Sequence, residues 1–493
     1  MREREAKMIV PDSFELPDLH DAVEGAALGD VEEREISDVY YDTDDLRLAR
    51  WGCTLRQRAE EGWTVKIPRP SKGIVLDREE VVFRGDTSDP PAAALNLVSS
   101  LTRGTDVDVV ARVRTRRLVR AWRADDGAVI AELTDDHVRA SKADGEEVRF
   151  REIEFELAPD ADGHLVDEVV ARLTAAKQFA ERPIPKLVRT LGPAAMEPPD
   201  VEVVPLPSKP TARQVIQSAI ASSVARLLLQ LPAARLGTDP EGVHQARVAA
   251  RRLRSDLKTF KPLLDSEWSA DLQEQLRWLI DELGAVRDND VLGAKLRDVI
   301  ERHPEIEPDA ARGVFHQVQL ERRRGRRRLL RHLGDVRAIE LLDHLVAAAA
   351  APATVKRAAR PARAVMPQLV RKRWKRLDRA IDGVGRRPTA AELHRVRILA
   401  KQLRYASEAV APAAGKQARK FANDAASIQD ALGELNDATV IGGWLAATAD
   451  RLDGPAAFTA GQLAQQLVID AHTHERQWRS AHRTMKGRTA WFS

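Results

Sequence analysis

One cysteine, Cys53, stands in 493 residues, so no disulfide can form within the chain and no cysteine cluster can hold a metal. Aromatic residues make up only 4% of the chain, which leaves few of the stacking platforms that readers of single-stranded nucleic acid use. No uninterrupted apolar run approaches the roughly 18 residues that read as a membrane-spanning helix. The start MREREAK is charged from its second residue and carries no apolar signal core. These absences lead us to expect a cytoplasmic protein with no membrane segment. Charge, by contrast, is abundant at 31%, and 43% hydrophobic content is ample for buried cores. The net charge of +3 hides a division: residues 1–200 hold 29 Lys and Arg against 42 Asp and Glu, and residues 201–493 hold 49 against 33. An acidic body and a basic body share one chain, and they suit different tasks.

The division coincides with EPPDVEVVPLPSKP between Glu197 and Pro210, where five prolines forbid regular helix and favour an extended spacer. We therefore expect a first domain over 1–196, a linker over 197–210 and a second domain over 211–493. Upstream, short alternating segments such as WTVKIP, EEVVFRG, GAVIAELT and VRFREIEFELA are separated by Gly, Asp and Pro, which predicts many antiparallel strands. Downstream, long Ala/Leu/Arg-rich stretches with helical spacing predict an all-α domain. The fold class expected is α+β, multidomain.

In a strand, residues two apart share a face. Glu3, Glu5 and Lys7 are aligned in this way, as are Arg56 with Arg58, Arg112 with Arg114 and Arg116, and Glu152 with Glu154 and Glu156. The residues between them, Leu55, Val113, Ile153 and Phe155, are apolar. Strands charged on one face and apolar on the other predict a barrel whose lumen is polar. Confined unpaired charge costs several kcal/mol per group, so such a lumen needs a ligand. Clustered Arg and Lys suit phosphate oxygens, and clustered carboxylates suit hard cations such as Mg²⁺ or Mn²⁺. A metal-bound phosphate chain satisfies both.

These residues resemble a known family. EREAK is similar to the Glu-x-Glu-x-Lys signature that opens CYTH domains, the triphosphate tunnel metalloenzymes. Further agreement lies in YYDTDDLRLARWGCTLRQR (Tyr40 to Arg58), WTVKIP around Lys66, DREEV around Arg78, REIEFEL (Arg151 to Leu157) and PKLVR (Pro185 to Arg189). The resemblance implies an eight-stranded antiparallel β-barrel forming a tunnel that binds triphosphate. It implies Glu3, Glu5, Glu152 and Glu154 as metal ligands. Lys7, Arg56, Arg58, Lys66, Arg78, Arg114, Lys186 and Arg189 follow as phosphate contacts, with Glu5, Lys66 and Glu154 at the catalytic centre. Glu156 and Asp135 are weaker candidates, and Arg112 and Arg116 are candidates for the rim.

The basic half carries one pattern twice. HQARVAARRLR (His244 to Arg254) returns as HRVRILAKQLR (His394 to Arg404), and LGAVRDNDV (Leu283 to Val291) returns as LGELNDATV (Leu432 to Val440). Asp288 and Asp437 lie 44 and 43 residues beyond their histidines, a paired spacing that points to an ancestral duplication. On a helix, His244, Arg247, Arg251 and Arg254 share an arc of roughly 80°, and His394, Arg397, Lys401 and Arg404 repeat it. A solvated charged face, or a histidine that merely caps a helix, is the bland alternative. Arg322 to Arg328 and Arg371 to Arg376 run around the whole helix circumference, as a general electrostatic collar would.

This half is similar to the CHAD domain, a histidine-containing helical module, over about residues 211–486. That resemblance implies two pseudo-symmetric four-helix halves whose basic stripes face a channel binding inorganic polyphosphate. In the second half Glu408 stands where the first has Lys258, which implies a weaker grip on phosphate at that end. The expected partners are inorganic triphosphate and polyphosphate, with nucleic acid disfavoured. The leading expectation is a metal-dependent triphosphatase whose helical domain recruits polyphosphate. A non-catalytic polyphosphate binder at granules is the alternative. Adenylate cyclase, known among CYTH relatives, would need a nucleoside pocket that the sequence does not reveal.

Overall fold

The computed structural model describes residues 2–493 apart from 24, 60, 70–74, 86, 159–168, 170, 174–183, 386–387, 473–476 and 493, with backbone alone at 2–5, 75–76, 472 and 477. The chain divides into two units, Met1–Asp200 and Val201–Ser493.

The first unit holds nine strands among its described residues: β1 (Arg2–Val10), β2 (Ala27–Leu28), β3 (Glu32–Asp42), β4 (Thr54–Arg58), β5 (Gly62–Pro68), β6 (Val75–Phe83), β7 (Asp108–Arg123), β8 (Val129–Lys142) and β9 (Glu147–Leu157). Eight pair in the order β7, β3, β4, β5, β6, β1, β9, β8, and a β7–β8 ladder closes the ring, so no edge is left among them. The two-residue β2 attaches to β7 as an annex. This is the expected eight-stranded antiparallel barrel.

Alternation decides what each face does. On β9, Glu152 and Glu154 point inward, while Ile153, Phe155 and Leu157 join Met8, Phe14, Leu19, Trp122 and Leu173 in an outer apolar cluster. The outer face is therefore dry along this stretch, and each large side chain buried there contributes roughly 1.5–3 kcal/mol. On β5, Trp63 and Val65 are fully buried, and helix α2 (Ala92–Thr102) lies against that strand. Two short helices set the ends of β3 and of the lumen. Asp42 is fully buried and accepts the backbone N–H groups of Thr43, Leu48 and Ala49 at 2.7–2.8 Å, which holds α1 (Arg47–Arg50) on β3. Burial pushes its carboxyl up to about 6. Helix α3 (Lys186–Leu191) packs Leu187 and Leu191 against Tyr40, Val113, Val138 and Ala140, and so plugs one end of the ring. The first residues of the proline-rich segment are tied down: Arg50 donates to the carbonyl of Pro198 at 2.9 Å and Trp51 to Asp200 at 2.8 Å.

The second unit is helical throughout its described elements. The first repeat contains α4 (Ala212–Leu236), α5 (Pro240–Phe260), α6 (Ser266–Arg302), α7 (Arg312–Leu333) and α8 (Val336–Ala350). The second contains α9 (Pro367–Asp382), α10 (Ala390–Ala414), α11 (Lys416–Ala431), α12 (Gly433–Thr448), α13 (Gly454–His472) and α14 (Gln477–Lys486). Neighbours recur in the same order, α4 on α5, α5 on α6, α6 on α7, then α9 on α10, α10 on α11 and α12 on α13. The long α6 thus corresponds to the pair α11 and α12, which part at Leu432, inside the repeated LG motif. Helices α5 and α10, the two carriers of the basic stripe, pack on each other. By length and composition α4 alone among the described helices could cross a membrane, but Ile216, Ile220, Val224, Leu227 and Leu231 are buried inside this unit.

Gly325 lets α6 and α7 approach closely. A Cβ there would sit 2.7 Å from the carbonyl oxygen of Ala285, a backbone atom that cannot swing away. Alanine gains about 1 kcal/mol of helix propensity over glycine, whereas overpacking costs about 1–3 kcal/mol. With backbone as the obstacle, Gly325→Ala should lose stability on balance, by about 1 kcal/mol. An unchanged or raised Tm by circular dichroism would contradict that.

Candidate functional site

The barrel lumen encloses a cavity of about 250 Å³. Three acids converge beside it: Asp136 on β8 with Glu152 and Glu154 on β9, each offering a carboxylate oxygen within 4.8 Å of the others. All three are buried, Asp136 and Glu152 fully so. Neither Glu152 oxygen accepts a well-directed hydrogen bond from a described residue. The Lys186 ammonium lies 2.7 Å from Asp136, 2.6 Å from Glu152 and 2.7 Å from Glu154, where a cation bound by the three acids would sit. Lys7 pairs with Glu154 from β1, and Arg117 bonds Asp136 at 2.6 and 2.8 Å and Glu154 at 2.7 Å. A cluster of three buried hard oxygen donors, one of them a carboxylate met only by the ammonium groups of Lys186 and Lys7, fits a divalent metal ion.

The acids are electrostatically unlike. Burial raises the Glu152 carboxyl above its ordinary value, against the pull of Lys186 and Lys7. Burial also works to raise Glu154, but Lys186, Lys7 and Arg117 outweigh it and hold it well below the usual carboxylate range. Opposite them, Arg56, Arg58, Lys66 and Arg78 line the cavity with Asp38 and Glu80. Arg58 forks onto Asp38 at 2.7 and 3.0 Å, and Lys66 lies 3.8 Å from Glu80. Burial opposes ionisation of Asp38, yet Arg58 and Arg56 keep its carboxyl low.

Of the residues singled out from sequence, the lumen gathers Lys7, Arg56, Arg58, Lys66, Arg78, Glu154, Glu156 and Lys186, with Glu152 among the acids beside it. Glu3 and Glu5 lie opposite Arg78 and Glu156 in the strand register, but their side chains lie outside the described residues. Arg114 is corrected: with Arg112 and Arg116 it stands exposed on the outer wall, because the inner face of β7 is Thr115 and Arg117. Asp135 is corrected likewise, pairing with Arg151 at 2.7 Å on the outer face while its neighbour Asp136 enters the cluster. Arg189 does not line the cavity; its guanidinium lies 5.3 Å over the ring of Phe150. Arg117, Asp136 and Asp38 were missed. For Asp38 the signal was present, since Ile36, Asp38 and Tyr40 alternate in EISDVYY. For the other two, adjacent like residues (Arg116 with Arg117, Asp135 with Asp136) left the face undecided, and a one-residue slip inverts it.

The helical unit has its own cavity, of about 890 Å³, between the stripe helices and the repeated LG segments. His244, Arg247, Arg251, Arg397 and Lys401 line it, with Arg287, Arg324 and Arg328. Asp288 holds Arg247 at 2.7 Å, and Asp437 lines the wall unpaired with it. Burial, with Arg251, Arg397 and Arg247 close by, pushes the Lys401 ammonium down to about 7. The remaining stripe residues are elsewhere. His394 bonds Asn436 beside a neighbouring apolar groove, Arg404 pairs with Glu408 at 2.9 Å, and Arg254 joins Lys258 and Arg277 in a second basic group. Glu408 also pairs with Arg252 of the other stripe helix. The expected collar is differentiated: Arg324 and Arg328 enter the cavity, whereas Arg326 donates to the carbonyls of Ala234, Arg235 and Leu236 at the end of α4.

Comparison with known proteins bears on both units. The family model described as CYTH domain matches residues 1–188, and that described as CHAD domain matches residues 218–446. The uncharacterized protein Rv2226 of Mycobacterium tuberculosis is 32% identical over 469 residues, covering 88% of this chain and 86% of its own. Among solved structures, PptA from Streptomyces chartreusis aligns with a TM-score of 0.48 at 21% identity, over 56% of this chain and 99% of its own. The CHAD domain from the plant Ricinus communis aligns with a TM-score of 0.45 at 24% identity, over 59% of this chain and 95% of its own. The CYTH superfamily includes triphosphatases and cyclases. A closed barrel with a buried acidic cluster, followed by duplicated helices around a basic cavity, matches the two family models in order, and the chain belongs to the family that joins a CYTH domain to a CHAD domain.

Proposed function

We propose that the barrel hydrolyses inorganic triphosphate or a related triphosphate compound with Mg²⁺ or Mn²⁺, and that the helical unit binds inorganic polyphosphate. The lumen's charge balance carries the reading. Lys7, Arg56, Arg58, Lys66, Arg78, Arg117 and Lys186 meet Asp38, Glu61, Glu80, Asp136, Glu152, Glu154 and Glu156, seven of each sign among the described residues. A bare polyanion would find no net attraction there, whereas one that brings its cation satisfies both sets. Asp136, Glu152 and Glu154 would hold the metal, which when bound supplies Lewis acidity and neutralises phosphate charge. Arg56, Arg58, Lys66 and Arg78 would fix the phosphates against them and stabilise charge on the departing group. Lys7 and Lys186, released from Glu154, would then reach phosphate oxygens.

One observation favours a second reading, a lumen that binds without turnover: the Lys186 ammonium already pairs with all three acids, in the place a metal would take. A phosphate-release panel decides between them. Triphosphate, ATP, thiamine triphosphate and long-chain polyphosphate are each incubated with Mg²⁺, Mn²⁺ or EDTA. Metal-dependent release from a triphosphate is expected; triphosphate binding with no release under any condition would favour the binder.

A further inference from the structure

The arginines that the lumen does not use form a pattern of their own on the outer wall. Arg114 on β7 lies directly opposite Arg139 on β8, and Arg139 directly opposite Arg149 on β9, so three guanidinium groups share one cross-strand row. Arg112 stands two residues along the same face of β7, and all four are exposed. Like charges directly opposite on neighbouring strands are destabilising, and strands are only about 4.8 Å apart. The row is also improbable by composition, because this unit carries 42 acids against 29 Lys and Arg.

Nearby acids are engaged one row away. Glu33 takes Arg116 at 2.7 and 2.9 Å, and Asp135 takes Arg151 at 2.7 and 2.8 Å. Glu35 lies opposite Arg116, and Arg149 has Glu147 at 3.9 Å. Arg112, Arg114 and Arg139 pair with no acid among the described residues. The wall therefore presents free guanidinium groups flanked by anchored ones, a surface for an anionic chain that contacts several cations together. Across β7, β8 and β9 the rows of Arg112, Arg114 and Arg116 hold a single ring, His137 opposite Arg116, and no Phe, Tyr or Trp, so stacked bases would find no row of platforms.

We propose that this outer wall of the barrel is a second polyanion-binding surface, which holds linear polyphosphate outside the lumen. The proposal rests on the polyphosphate reading of the helical unit. Full-length protein carrying Arg112→Gln, Arg114→Gln and Arg139→Gln is compared with wild type by titration with long-chain polyphosphate at several salt concentrations. Three lost contacts should lower the slope of log K against log salt by about 2 and weaken binding about tenfold at 0.1 M salt. Release from triphosphate should stay within about twofold of wild type, and the ligand-free Tm should not fall, since a repulsive row is being relieved. Unchanged affinity and slope in a wild type that binds would overturn the wall alone. A wild type that binds no polyphosphate would overturn both this proposal and the reading beneath it. Loss of single-stranded RNA binding with polyphosphate binding unaltered would replace it by a nucleic-acid surface.

Discussion

Replacing Glu154 by Gln should lower metal-dependent release from triphosphate roughly 10³-fold, the kinetic equivalent of about 4 kcal/mol of lost charge stabilisation. Glu154 is the acid on which Lys7, Lys186 and Arg117 all converge, so its loss removes one metal ligand and unbalances three cations together. Stability should fall as well, by about 3–5 kcal/mol, because buried cations lose a counter-charge. Circular dichroism separates that loss from inactivation. Calorimetry supplies the sharper contrast: metal-free triphosphate should bind Glu154→Gln at least as well as wild type, since the lumen has become more positive. Asp135→Asn is the control for strand register. It breaks the largely buried pair with Arg151 on the outer face, which costs stability, but should leave release within about threefold once allowance is made for folded fraction. Equal loss of turnover in both variants would show that the inner cluster is not the seat of the chemistry.

Reversing Arg247, Arg251, Arg397 and Lys401 to Glu should weaken polyphosphate retention at least about 10³-fold, because four contacts become four repulsions in one cavity. Retained binding in a filter assay would reduce the stripe to a solvated face. Lys401 adds a pH signature. Its ammonium is pushed down to about 7 in the ligand-free protein, and a bound polyanion must raise it, so binding takes up a proton. Affinity should thus be flat below about pH 6 and fall, by up to tenfold per pH unit, above about pH 7. Lys401→Arg keeps its charge throughout this range and should flatten the curve. A decline that persists in Lys401→Arg would assign the titration to another group.

The barrel, the helical repeat and most of the lumen are legible in the chain, and within the barrel the agreements and departures have one cause. Where charged and apolar residues alternate strictly, as in Glu152-Ile153-Glu154-Phe155, the face is decided locally, since a buried Phe cannot share a face with buried carboxylates at acceptable cost. Where two like residues are adjacent, as in Arg116-Arg117 and Asp135-Asp136, either register is locally acceptable. The stripes failed differently. Helical spacing put His394 and Arg404 in line with Arg397 and Lys401, yet His394 turns to Asn436 and Arg404 to Glu408. Both choices depend on partners 42 and 4 residues away that the spacing of cations does not report.

Sequence alone settled the quantities that add up locally: the acidic and basic halves, the strand and helix periods, the doubled motif, and the types of side chain available to a phosphate and a metal. Only the tertiary structure decided which carboxylates meet. Asp136 comes within reach of Glu152 and Glu154 because β8 and β9 pair in one register, and Lys186 reaches all three because α3 enters the ring from a segment distant in the chain. Local composition determines what a segment would bury. Closure of the ring determines against what, because pairing register is a property of two strands and belongs to neither.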